Sequence, residues 1–201
     1  MSTSSPDDRY HHGDLRRALI EAALAALALK GPGALGLREL ARQVGVSPAA
    51  PYRHFSDRHA LLEAVAAEGF GRFVETMREA RDGVFENEQL AAMAHAYVRF
   101  AMHQPQLFRL MFSAELDHQR NPALATASEA AYASLAVAAA REDPEAAAEV
   151  AVTCWAFVHG LAVLLLDGQI LGATTGNADA LIRKLTERFI AGLRAERPNP
   201  A

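Results

Sequence analysis

Apolar positions recur along the chain at three- and four-residue intervals, broken by glycine and proline clusters, and this pattern predicts helices throughout. Leu15, Leu19, Ala22, Ala26 and Leu29 line one face of a first helix from about His12 to Lys30, stopped by Gly31-Pro32-Gly33. Leu37, Leu40, Ala41 and Val44 fall at i, i+3, i+4 and i+7 and define a short second helix. Gly45 then supplies a turn, because it takes positive φ without a Cβ clash. Ser47 stands where an N-cap belongs, and Pro48 suits the first position of a third helix. That helix, Pro48 to Phe55, is expected to bury Tyr52 and Phe55 and to present Ala49, Ala50, Arg53 and His54. Pro51 lies early enough in it that no intrahelical bond is expected to be lost. A long helix follows from about Asp57 to Arg81, with Ser56 as its cap and Leu61, Val65, Phe70, Phe73 and Met77 on its apolar side.

The same punctuation continues to the end of the chain. Helices are expected over Glu86 to Met102, Gln106 to Ser113, Asn121 to Arg141, Asp143 to Leu166 and Ala178 to Glu196, with Gly168 to Asn177 as a loop. No alternation of apolar and polar residues is long enough for a strand. The expected fold class is all-α, with about nine helices. Residues 1–11 are polar and read as a flexible N-terminal extension, 12–72 as an N-terminal domain and 73–201 as a C-terminal domain.

Two short helices joined by a glycine turn, with small residues leading the second, have the geometry of a helix-turn-helix. The pieces Arg38-Glu39-Leu40-Ala41, Gly45-Val46-Ser47, Tyr52-Arg53-His54-Phe55 and Ala60-Leu61-Leu62 stand in the order and spacing of one family. On these residues the chain resembles the TetR family of transcriptional regulators. Two positions depart from that pattern: Gly36 replaces a capping threonine or serine, and Pro51 replaces a leucine. Further on, Trp155-Ala156-Phe157-Val158-His159-Gly160, preceded by Pro105 to Phe112, resembles the tryptophan-histidine-glycine type of TetR C-terminal domain.

The resemblance implies a cytoplasmic, sequence-specific regulator, by family habit a repressor, that grips a pseudo-palindromic operator as a homodimer. The third helix enters the major groove. Arg53 is its charged reader, and Pro48, Ala49 and Ala50 permit close approach or contact with thymine methyls. Tyr52 and His54 are implied phosphate contacts, joined by Arg38, Ser47 and Arg58 at helix starts. Tyr10, His11 and His12 precede the first helix and are placed to reach the adjacent backbone or minor groove. In the family the last two long helices pair with their copies. Leu181, Leu185, Phe189 and Leu193, at i, i+4, i+8 and i+12, form a stripe that permits this. A small hydrophobic or aromatic effector is expected among Phe70, Phe73, Tyr97, Phe108, Met111, Phe112, Trp155 and His159, with His159 and Tyr97 orienting it. The other reading is a constitutive dimeric regulator whose C-terminal core is filled and takes no effector.

Charge sharpens this picture once it is divided along the chain. The net charge of the 201 residues is −4, yet residues 1–60 carry eight Lys/Arg against six Asp/Glu, and the remainder twelve against eighteen. The basic excess lies at the end that is to face phosphate. Composition, with 51% hydrophobic and 22% charged residues, is that of a globular protein. The single cysteine, Cys154, excludes an intramolecular disulfide and fits a reducing compartment. No enzyme is expected. Cys154 and His159 are five residues apart, about 500° of helical rotation, and point in different directions. The histidines lack metal-ligand spacing, no glycine-rich phosphate loop occurs, and no cofactor or metal is expected. Arg16-Arg17 before Ala18 to Leu29 imitates a twin-arginine signal, but Glu21 interrupts the run and no small-x-small cleavage site follows. Val150 to Leu166 is only seventeen residues and contains Thr153, His159 and Gly160, so it reads as a buried helix, not a membrane span.

Overall fold

The computed structural model describes residues 11–118, 120–170 and 177–195. Eight α-helices occur among them: α1 (His11–Lys30), α2 (Leu37–Gln43), α3 (Arg58–Asp82), α4 (Gln89–His103), α5 (Pro105–Met111), α6 (Pro122–Glu142), α7 (Ala147–Leu166) and α8 (Ala178–Ala195). Short 3-10 turns lie at Pro32–Ala34, Ala50–Arg53 and Glu86–Glu88, and no strand occurs among the described residues. The fold is all-α. The ninth expected helix, that of Pro48 to Phe55, is the 3-10 turn Ala50–Arg53. The expected N-terminal extension and the glycine loop's 171–176 lie outside the described residues.

The chain forms two compact units. It does not divide once at 72/73: it leaves the first unit after Gly69, re-enters with Gln106–Ala125, and continues in the second from Thr126. In the first unit, α1 buries Leu19, Ile20, Ala23, Leu24, Ala26 and Leu27, and packs on α2 and on the 3-10 turn at 50–53. Leu29 does not join that face. It is 82% exposed, in the end of α1 where residues 28–30 are all exposed. On α3, Leu61, Leu62, Val65 and Ala66 complete this core. Burying side chains of this size contributes about 1.5–3 kcal/mol each, which is ample to hold such short helices in place.

The second unit is organised on α4. This helix is buried nearly all round, through Leu90, Met93, Ala94, Ala96, Tyr97, Val98, Phe100 and Ala101, as a central helix must be. Both α7 and α8 pack against it. From α3, Phe73 meets Tyr97 and Phe100 edge-on, with ring centroids 4.8 and 5.1 Å apart. The α6 and α7 helices are long and apolar enough to cross a membrane by length and composition alone. Only one stripe of α7, Ala151, Cys154, Val158, Leu161, Ala162 and Leu165, is buried, while Val152, Trp155 and Leu164 are exposed. The helix expected to be buried is therefore buried along one face and exposed on the other.

Candidate nucleic-acid interface

The site begins with how α2 ends. Gly36 precedes α2 without a side-chain cap, as a glycine must. At the other end Gly45 takes φ 76°, the Val46 N–H donates to the Ala41 carbonyl (2.9 Å) and the Gly45 N–H to that of Arg42 (3.3 Å). This is a Schellman stop, and it aims the chain into the turn at residues 47–54. Leu37, Leu40 and Ala41 anchor α2 from below, leaving Arg38 and Arg42 exposed.

The turn at residues 47–54 is tighter than expected because of Pro51. The first bond of an α-helix capped at Ser47 would run from residue 51 to the Ser47 carbonyl, and proline has no N–H to give. The Ala50 N–H takes that carbonyl instead (3.0 Å), Tyr52 bonds to Ala49 (3.3 Å) and His54 to Pro51 (2.9 Å), all with 3-10 spacing. The proline does cost an α-helical bond, contrary to expectation. It also changes which side faces inward. Pro51 and Phe55 are buried, whereas Tyr52, expected to be buried, is 48% exposed. Ser47, Pro48, Ala49 and Arg53 are exposed, and Ala50 and His54 are half-buried. The outward face therefore carries one hydroxyl, a proline, one small residue, a phenol and one guanidinium.

Charge on this face is partly committed. Arg42 grips Glu39 through two bonds of 2.6 and 3.0 Å, and this hydrogen bonding holds the Glu39 carboxyl down at about 2. Glu39 is thus anionic at any working pH, and it neutralises Arg42. Arg38 and Arg53 enter no ion pair among the described residues. Arg58 donates to the Pro32 carbonyl (2.6 Å), so its guanidinium also ties α3 to the turn after α1. The cap of α3 is Asp57, not Ser56: its Oδ1 accepts the Ala60 N–H (2.9 Å), while the Ser56 hydroxyl donates to Asp57 (3.1 Å). Those bonds, the Ala60 one foremost, hold the Asp57 carboxyl below its usual range. Sequence inspection missed Arg16, whose guanidinium carbon lies 5.5 Å over the Phe55 ring. That contact braces α1 against the turn that ends at Phe55, and no local spacing announces a pair 39 positions apart. Tyr10 lies outside the described residues, and His11 and His12 open the backbone of α1.

The eight residues expected around an effector fall in both units. Phe108, Met111 and Phe112 belong to the first, where the Phe108 and Phe112 rings lie 4.9 Å apart. Phe70, Phe73, Tyr97, Trp155 and His159 belong to the second. There the Tyr97 hydroxyl and His159 Nδ1 share a hydrogen bond of 2.9 Å, and Trp155 and Tyr132 continue the aromatic row. Burial pushes the Tyr97 phenol up and the His159 imidazole down, so both are neutral at pH 7. Trp155 is 41% exposed and sits at the edge of this row. A cleft of about 670 Å³ in the same unit is lined by none of the eight; His95, Phe100 and Thr186 are among its walls. The Cys154 thiol is pushed up by burial to about 11, which leaves it unreactive at neutral pH. Among the described residues no three His, Cys, Asp or Glu side chains gather as metal ligands do.

On α8 the inward row is Ile182, Thr186 and Ile190, with the Thr186 hydroxyl donating to the Ile182 carbonyl (3.0 Å). The stripe Leu181, Leu185, Phe189 and Leu193 lies beside that row, half-buried in the single chain. Phe189 stacks flat on Phe157 of α7, with centroids 4.0 Å apart.

Comparison with known proteins agrees with this geometry. Residues 19–65 match the family model of bacterial regulatory proteins of the tetR family, and residues 90–189 match the Tetracyclin repressor-like C-terminal domain. A structure of a protein of unknown function from Rhodococcus sp. RHA1 is 32% identical, aligned over 92% of this chain and 98% of that one with a TM-score of 0.78. A TetR family transcription regulator from Marinobacter aquaeolei VT8 shares the fold at 21% identity, 89% and 96% coverage and a TM-score of 0.61. So does the fatty acid degradation regulator FadR from Bacillus halodurans, at 15% identity, 89% and 99% coverage and a TM-score of 0.66.

Proposed function

The chain belongs to the TetR family of DNA-binding transcriptional regulators, and from that premise we propose that it is a homodimeric cytoplasmic repressor released from its operator by a small apolar or aromatic effector. The observation that carries the DNA reading is the 47–54 turn. Pro51 and Phe55 anchor it, and Arg53 stands exposed beside residues small enough for close approach to base edges. Arg53 is the reader, able to take guanine O6 and N7 together, and Ala49 and Ala50 lie against thymine methyls. Tyr52, His54, Arg38, Ser47 and Arg58 hold phosphates and set the register. The dimer forms along α7 and α8. Its support is the apolar stripe on α8, which the inward row Ile182–Thr186–Ile190 leaves over. Two reading turns then meet half-sites about one helical turn apart.

The effector is placed against the aromatic row of the second unit, with the neutral Tyr97–His159 pair as its polar contact. The near-complete burial of Phe73 between Tyr97 and Phe100 favours the second reading, a filled core without an effector. Trp155, the only tryptophan, separates the two. A compound that releases operator DNA is expected to alter its emission and to bind His159→Ala weakly. A releasing compound that leaves the emission unchanged and binds His159→Ala normally refutes this placement.

A further inference from the structure

The cleft of about 670 Å³ in the second unit lies apart from the aromatic row, and its charges are sorted along its length. Its walls are the last turns of α3, the length of α4 and the middle of α8. Two contacts fix how α8 runs along α4. Arg99 Nε of α4 pairs with Asp179 Oδ1 in the first turn of α8 (3.1 Å), and Arg194 Nη2 in the last turn of α8 donates to the Asn87 carbonyl just before α4 (2.5 Å). The two helices are therefore antiparallel. So are α3 and α4, since the chain doubles back between them through residues 83–88. Glu79, Glu88 and Glu187 consequently gather towards one end of the cleft, and Arg183, Arg99 and His103 towards the other. Between them the floor is apolar, built from Ala80, Ala92, Ala96 and Phe100.

Neither end is neutralised from within. Glu79, Glu88 and Glu187 enter no ion pair among the described residues. At the other end one carboxylate, Asp179, faces two guanidiniums, Arg99 at 3.1 Å and Arg183 at 4.0 Å. His95 Nε2 lies 3.3 Å from the same carboxylate, but burial lowers the imidazole's titration, so it is neutral at pH 7 and adds no charge. A positive excess is left there and a negative one at the far end. A guest that answers both carries a carboxylate for Arg99 and Arg183, a cation for the glutamates and an apolar stem between them. The geometry also bounds its length. Arg183 and Glu187 are one turn apart on α8, about 6 Å, and Arg99 and Glu88 are about 16 Å apart along α4. The carboxylate and side-chain nitrogen of an extended lysine are about 7 Å apart, within that interval. We propose that this cleft is a second ligand site, separate from the effector row, and that it takes a free amino acid with a cationic side chain. Asp179, which remains exposed, accepts the α-ammonium of that guest.

The test is calorimetric titration of the full-length protein at pH 7 with three compounds. They are L-lysine, cadaverine, which is lysine without its carboxylate, and L-norleucine, which is lysine without its side-chain ammonium. L-lysine is expected to bind saturably and about tenfold or more tighter than either analogue, because each analogue leaves one charged end of the cleft unanswered. Arg183→Gln and Glu187→Gln alter exposed positions of α8 outside its apolar stripe, and both are expected to stay folded by circular dichroism. Each should weaken lysine about threefold or more, a modest factor because other charges remain at each end. No saturable binding of L-lysine at millimolar concentration overturns the proposal. Cadaverine or norleucine binding as tightly as lysine overturns the two-ended recognition, and this comparison needs only the wild type. Lysine affinity unchanged in either folded variant overturns the placement in this cleft. No DNA enters the titration, so its outcome is independent of the operator and effector readings above.

Discussion

Two glycines of α3, Gly69 and Gly71, sit two residues apart and should respond oppositely to the same substitution. Alanine is the better helix former by about 0.8–1.0 kcal/mol, so Gly71→Ala, with nothing within 4 Å of its new Cβ, is expected to stabilise by roughly that amount. Gly69→Ala receives the same helical gain but meets Leu107 Cδ1 at 2.8 Å, Met111 Sδ at 2.9 Å and Met111 Cγ at 3.0 Å. Overpacking of this kind costs about 1–3 kcal/mol. Both clashing side chains are flexible near their tips, so the lower half of that range applies, and the net effect is neutral to about 1 kcal/mol destabilising. The gap between the two variants is then about 1–2 kcal/mol, and unfolded-state effects of glycine replacement largely cancel in it. Urea denaturation at one fixed protomer concentration measures it, since the apparent stability of the proposed dimer depends on concentration. Equal stabilisation by both substitutions would show that α5 does not press on α3 at Gly69.

Three further outcomes follow from the same geometry. Arg53→Ala should lose about 1–3 kcal/mol of preference for operator over random duplex while remaining folded, and equal losses on both DNAs would make Arg53 a phosphate contact only. Leu185→Glu should sediment as a monomer with weak operator binding, because the stripe beside Ile182 and Thr186 would bury a charge on pairing; an intact dimer would move the interface elsewhere. Burial lowers the folded-state titration of both His95 and His159, so the unfolded chain takes up more protons below the ordinary value of 6.5. Stability should therefore fall as pH drops from about 6.5 towards the depressed folded values and be unaffected by these groups above that window. Their share of the slope should shrink in His159→Gln, and an identical slope in that variant would contradict the assignment.

Most helix ends were legible because each has a local chemical cause. Gly31 stops α1 with φ 74°, the Gly45 turn takes φ 76°, and Asn121-Pro122 opens α6 with a side-chain cap. Where inspection of the chain misled, two local rules competed. Pro48 and Ser47 announce an α-helix, while Pro51 removes its first bond, and the resulting 3-10 turn rotates Tyr52 outward and Pro51 inward. Ser56 and Asp57 are both competent caps, and only the geometry shows which oxygen reaches the Ala60 N–H. The return of Gln106–Ala125 to the first unit was not legible at all. It depends on a vacancy at Gly69 and on the Asn121 amide reaching Glu63, 58 positions away, and neither leaves a periodic trace. The α8 stripe was visible as spacing, but its inward neighbour row needed the packed structure to identify.

The central claim, that this chain reads DNA by sequence, is tested most directly by anisotropy titration of a wild-type-selected duplex and a shuffled one across about 50–200 mM salt. Several phosphate contacts per dimer predict a steep linear fall of log affinity with log salt on both duplexes, with the selected one held about 10³-fold or more tighter throughout. Equal affinity for the two duplexes, or affinity that does not respond to salt, would contradict the account.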